Sequence, residues 1–141
     1  MDHTDRLIRL VEAVDAAVNE EHDKAKRLLT EIRLFSSTED MFRACCSLGE
    51  LGRQLLHHIH QPAPGHMWRM QTPEPHGPCH PAHVFSTRFL TAHANGDTAQ
   101  CQALFDVLLT ADPDQFTVGF TCLFSDVVRL SRRANTQHPP A

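Results

Sequence analysis

The chain has 141 residues, 41% hydrophobic and 21% charged, which fits one globular domain and excludes wholesale disorder. Its formal net charge of −4 provides no general attraction to nucleic acid or anionic membrane, although the 11 histidines offset that charge in acid. No apolar run approaches the ~20 residues of a membrane span, and the opening Met-Asp-His-Thr-Asp-Arg lacks the basic-then-apolar order of a secretory signal.

Thr4 is a candidate N-cap, with Asp5 in the first turn where the helix dipole favours an acid. Leu7, Leu10, Val11, Val14 and Val18 then recur at helical spacing up to Asn19. A second helix opens on Glu20, Glu21 and Asp23, has Ala25, Leu28, Leu29 and Ile32 as its apolar stripe, and ends near Arg33. Its Lys24, Lys26 and Arg27 read as a solvated face rather than a phosphate site, because acids come first and bases later.

Ser36-Ser37-Thr38-Glu39 has the form of a capping box, with Ser36 as N-cap and Glu39 reaching back. The third helix runs to about His58 on Met41, Cys45, Leu48, Leu51 and Leu55. Gly49 and Gly52 each cost about 1 kcal/mol against alanine in mid-helix, so this pair predicts the close approach of another helix.

Residues 61–81 hold six of the nine prolines and the single tryptophan. Within them Met67, Trp68 and Met70 are expected to anchor the linker on the bundle, or to meet a partner or second subunit. Pro81 suits a first helical position, and Val84, Phe85, Phe89 and Ala92 make a short fourth helix that stops at Asn95-Gly96. The fifth runs from Asp97 to about Thr110 on Cys101, Leu104, Phe105 and Leu108. Asp112-Pro113-Asp114-Gln115 then caps a sixth helix that buries Phe116, Phe120, Leu123, Phe124, Val127 and Leu130 and ends at Arg132-Arg133.

A shift of 76 residues superimposes the two helical sets, pairing Ala16 with Ala92, Asn19 with Asn95, Leu28 with Leu104, Cys46 with Cys122 and Ser36 with Asp112. From Ala82 to Pro113, the placement of Gly96-Asp97, Cys101, Phe105 and Asp112-Pro113 resembles a tetratricopeptide helical hairpin, which implies a protein-binding scaffold. The expected fold is therefore all-α: a six-helix bundle in one compact domain, built from two related three-helix units of tetratricopeptide-like hairpins, residues 1–60 and 82–134. The Pro/His-rich linker 61–81 joins them, and 135–141 form a disordered tail.

Chemistry is sparse. No phosphate-binding loop, serine-hydrolase elbow, His-Glu-x-x-His or dinucleotide fingerprint occurs, and no histidine follows a glutamate by three residues as di-iron bundles require. His57 and His60 can share a helix face, and Cys79, His80 and His83 gather where the fourth helix begins. Together they make a candidate zinc site of mixed nitrogen and sulfur donors. Cys46, Cys101 and Cys122 lie in helical patterns as small apolar residues, so a reducing cytoplasm is the expected compartment. Acidic Glu39, Asp40 and Glu50 count against reading the second and third helices as a DNA-binding pair, and Arg129, Arg132 and Arg133 read as partners of their own helix dipole. The reading is a small non-catalytic interaction or adaptor protein without cofactor. It is expected to self-associate as a homodimer through apolar surface on the Phe-rich fourth and sixth helices. The alternative is a zinc-binding regulatory or sensor protein.

Overall fold

A computed structural model of the protein describes residues 1–60 and 81–137. Every regular element among them is a helix: α1 (His3–Val18), α2 (His22–Leu34), α3 (Thr38–His60), α4 (Pro81–Ala94), α5 (Thr98–Thr110) and α6 (Pro113–Gln137). The linker anchors Met67, Trp68 and Met70 and the candidate ligands Cys79 and His80 lie outside the described residues.

The helix ends follow side-chain chemistry, with some shifts from expectation. Asp112 accepts the Gln115 amide at 3.1 Å, as its sequence context predicts, and Asp97, where the fifth helix is expected to begin, is its N-cap and accepts the Gln100 amide at 3.0 Å. The first cap is Asp2, whose carboxylate accepts the Asp5 amide at 2.8 Å, so Thr4 lies inside α1 rather than at its end. The capping box at α3 sits one residue further along. The Asp40 amide donates to Ser37 Oγ at 3.1 Å and the Ser37 amide donates back to Asp40 Oδ2 at 3.3 Å, leaving Ser36 for another partner. Glu20 and Glu21 belong to the turn before α2 rather than to its first helical residues. The sixth helix runs on past Arg133 to Gln137. Nothing in Asn135-Thr136-Gln137 breaks a helix, and Thr136 Oγ1 bonds back to the Arg132 carbonyl at 2.9 Å, so only 138–141 of the expected tail remain outside the described residues.

The α1–α2 and α4–α5 turns have the same geometry. The Glu21 amide donates to the Ala16 carbonyl at 2.8 Å and the Glu20 amide to Ala17 at 3.1 Å. The corresponding bonds, 76 residues on, are Asp97 to Ala92 at 2.9 Å and Gly96 to His93 at 3.0 Å. The residue in the left-handed region is Gly96 (φ 74°) in one turn and Glu20 (φ 62°) in the other. Both bounds of α5 lie 76 residues beyond those of α2, and those of α4 and α6 lie within two residues of the same offset from α1 and α3.

The core forms where α3 and α6 cross, with α4 packed on both and α1 packed on α2, α3 and α6. Ile32, Leu48, Phe89, Phe105, Phe120, Leu123 and Val127 are fully buried there. Closure of α1 onto α6 makes a bundle, whereas in a stack of hairpins each helix meets chiefly its chain neighbours. The glycine pair of α3 does what its spacing predicts. A Cβ on Gly49 would stand 2.9 Å from the His93 ring, and one on Gly52 2.7 Å from Leu90 Cδ2, so α4 lies almost against the α3 backbone.

Two expectations about the surface are corrected. Phe85, Phe89, Phe120 and Phe124 are buried, because α4 and α6 pack on each other and on α3. The apolar exposure expected on those helices is instead most concentrated on α1, where Leu7, Ile8 and Val11 are 40%, 51% and 53% exposed. Leu7 and Val11 overlook a shallow apolar groove of about 320 Å³ between α1 and α3 instead of filling it.

Candidate functional site

Three clusters of side chains bear on function. The first is the expected metal set. His57 and His60 stand exposed in the last turn of α3, and His83 is exposed in the first turn of α4. Among the described residues no three His, Cys, Asp or Glu side chains gather closely enough to hold a metal ion. Two of the five expected ligands, Cys79 and His80, lie outside that search.

The second cluster lines a cavity of about 310 Å³ between α3, the end of α4 and α5, and includes Cys46, Glu50, Arg53, His93 and Cys101. Glu50 accepts from Arg53 Nε at 2.9 Å and meets His93 Nε2 at 3.2 Å. Arg53 first, and then His93, hold the Glu50 carboxyl down at about 2. A cysteine, a histidine and a carboxylate thus share a wall, but the thiols are unsuited to attack. Burial pushes Cys101 up to about 11 and raises Cys46, and the Cys101 thiol is turned to the Phe89 carbonyl at 4.0 Å. The cluster is a structural clamp between α3 and α4.

That clamp has a pH signature. A carboxyl held below its ordinary 4.5 contributes stability that is full above that value and is lost as pH falls through about 2. Because the pair is largely solvated, the contribution is expected to be about 1 kcal/mol or less. Glu50→Gln should therefore melt lower than the parent at neutral pH and converge on it near pH 2, a difference that thermal melts across this range measure. A gap of constant size would show that the clamp acts through packing rather than charge.

The third cluster is a groove of about 600 Å³ between α2 and α6. It exists because α2 packs closely only on α1, whereas α5, at the corresponding place in the second half, meets α3, α4 and α6. Side-chain size explains the difference. In the second half Phe105 takes up much of the space, its ring centroid 5.1 Å from Phe42 and 5.8 Å from Phe116, while His93 packs against Gly49, and only the smaller cavity of about 310 Å³ remains. The residues 76 positions earlier, Leu29 and Ala17, are smaller and leave the space open.

Ala25, Leu29, Phe120, Phe124 and Val128 form an apolar floor. The rim is cationic. Lys26 and Arg33 stand on α2, Arg129 and Arg132 on α6, His22 lies at one end, and among the described residues no carboxylate lines the groove. Arg33 Nη1 donates to Thr117 Oγ1 at 3.2 Å across one end, and Arg132 Nη2 donates to the Ala17 carbonyl at 2.7 Å across the other. Arg132 thus adds a second donor to a carbonyl in the last turn of α1, one that also accepts the Glu20 amide, rather than bonding to the end of its own helix. Arg129 is paired with Asp126, whereas Lys26 and Arg33 have no acidic partner among the described residues.

Sequence reasoning named none of these residues as a site, because each base had a local explanation on its own helix. The available signal was that Lys26, Arg33, Arg129 and Arg132 recur at helical spacing beside apolar positions. The chain matches no protein-family model, no curated protein and no solved structure.

Proposed function

We propose that this protein is a non-catalytic helical interaction module, and that the α2/α6 groove is where it holds a partner. The observation that carries the reading is the groove itself, a long apolar floor under a cationic rim, two of whose bases have no acidic partner among the described residues. From His22 to Arg33 its α2 wall is about 18 Å long at 1.5 Å per residue, long enough to seat about three turns of a helix. A groove of this kind recognises an amphipathic segment by apolar anchors and selects it by charge.

The finer architecture belongs to the same proposal. The chain is two related three-helix units, supported by the common 76-residue offset of helix bounds and by the matching turns at Glu20 and Gly96. On this reading one half has narrowed its groove with Phe105 and His93 to a cavity of about 310 Å³, and the other has kept a groove of about 600 Å³ for binding.

Ser125→Trp tests the function directly, because Ser125 is exposed in α6 and lines the groove. The tryptophan should fill the groove without disturbing the core, leaving the melting temperature within about 3 °C of the parent. Retention of proteins from host extract on immobilised parent and variant should then differ by at least one specific partner, other copies of this chain included. Identical retained sets on the two columns would remove the groove as the binding site.

A further inference from the structure

We propose that the groove's occupant is α1 of a second copy of this chain, the two copies exchanging their α1 faces reciprocally. The inference rests on the groove being a protein-binding site, as argued above, and it identifies the partner from chemistry present on the same molecule.

The groove wants a helix with an apolar ridge flanked by acids, because its floor is apolar and its lining, among the described residues, holds bases without a carboxylate. The outer face of α1 has that chemistry. Leu7, Ile8 and Val11 are exposed together, and Asp5, Glu12 and Asp15 are exposed beside them. None of these three carboxylates is in an ion pair among the described residues. The lengths agree as well. From Asp5 to Asp15 the ridge is about 16 Å long, close to the roughly 18 Å of the α2 wall.

An acidic helix from another protein would satisfy the same groove, but it would leave the apolar ridge of α1 uncovered. Three large apolar residues held in water within two turns are themselves a feature that needs a cover. Self-docking satisfies both surfaces at once. Ridge and groove are different surfaces, so a reciprocal exchange about a two-fold axis closes on itself and buries two ridges in two grooves. Attraction between the acids of α1 and the bases of the rim fixes which surfaces meet, while the apolar area supplies most of the affinity.

The test is a pair of charge reversals read by sedimentation velocity. The intact chain should pass from monomer to dimer as its concentration rises to about 500 µM, and raising NaCl from about 0.05 to about 0.5 M should weaken that dimer at least roughly tenfold. Lys26→Glu/Arg33→Glu/Arg129→Glu leaves three acids against Arg132 and makes the rim acidic, and Glu12→Lys/Asp15→Lys makes the ridge basic. Each variant alone should be at least about tenfold weaker in self-association. Mixed in equal amounts they should form a heterodimer, because each then meets a surface of opposite sign. An unfolded variant could not restore assembly in the mixture, so this arm does not depend on fold controls. A chain that stays monomeric at about 500 µM overturns self-docking and leaves the groove to a foreign segment, which the Ser125→Trp comparison detects independently. A dimer indifferent to both reversals, or a mixture that fails to assemble, also overturns it.

Discussion

Replacing Phe105 with alanine is expected to remove about 4 kcal/mol of stability, the largest loss from any single core truncation. The ring is almost wholly buried in α5 and stands between Phe42 of α3 and Phe116 of α6, tilted 58° to one and 79° to the other. Such pairs add about 0.5–1.5 kcal/mol each beyond the area they bury, so alanine loses two ring contacts as well as the transfer term. It also leaves a void at the meeting of three helices. In thermal melts the loss corresponds to roughly 12 °C for a chain of this size. Phe105→Leu keeps most of the volume and should recover more than half of it. A loss below about 1.5 kcal/mol for alanine would mean that α5 moves inward to close the void, and that the aromatic junction is not what fixes it.

The second large effect is expected at Arg6, the one buried cation of the structure's described residues. Its guanidinium joins the starts of α1 and α3, donating from Nε to Ser36 Oγ at 3.1 Å and from Nη2 to the Met1 carbonyl at 3.3 Å, with Asp40 Oδ2 at 3.2 Å. Asp40 is held below the usual carboxylate range first by the Ser37 amide, then by the Ser37 hydroxyl, with Arg6 and Arg43 adding to it. Arg6 Nη1 finds no partner among the described residues, so the buried charge is not fully repaid by the hydrogen bonds they provide. Two consequences follow from that imbalance. Arg6→Ala removes both the ion pair and the packed stem and should cost about 3 kcal/mol. Arg6→Met retains most of the apolar volume and abolishes the orphaned donor, so it should lose only about 1 kcal/mol in a urea titration. Equal losses for the two variants would show that the charge, not the packing, holds these helix ends together.

Much of the fold was legible because its punctuation is local. Asp112 as a cap, Pro81 at a helix start, Gly96 in a left-handed turn and the Gly49/Gly52 approach each follow from one or two neighbouring residues. Ser36 and Ser37 show where local reading becomes degenerate. The stretch Ser-Ser-Thr-Glu-Asp offers two capping boxes one residue apart, and the choice falls to Ser37 while the Ser36 hydroxyl accepts from Arg6, a residue thirty positions earlier. The phase of α1 was degenerate in a similar way. Its apolar residues cover a broad arc, and only the neighbours decide that Leu10 and Val14 face inward while Leu7 and Val11 stay outside. The groove was beyond any single-segment reading. It depends on Ala17 and Leu29 being small where the other half has His93 and Phe105, which matters only once α2 is placed relative to α6.

Glu20 carries a further consequence. A residue with a Cβ at φ 62° costs about 1 kcal/mol or more relative to glycine, and the matching turn of the second half avoids that cost with Gly96. The strain sits in the hinge of α2, the helix whose close packing is confined to α1. The two walls of the groove therefore differ in rigidity. The α6 wall is continuous with the core and opens only with global unfolding. The α2 wall can swing or fray at a lower free energy, already partly supplied by its own turn. On the proposed reading of the groove as a binding site, an unequal pair of walls would let a partner enter by moving one side, while the other keeps the register.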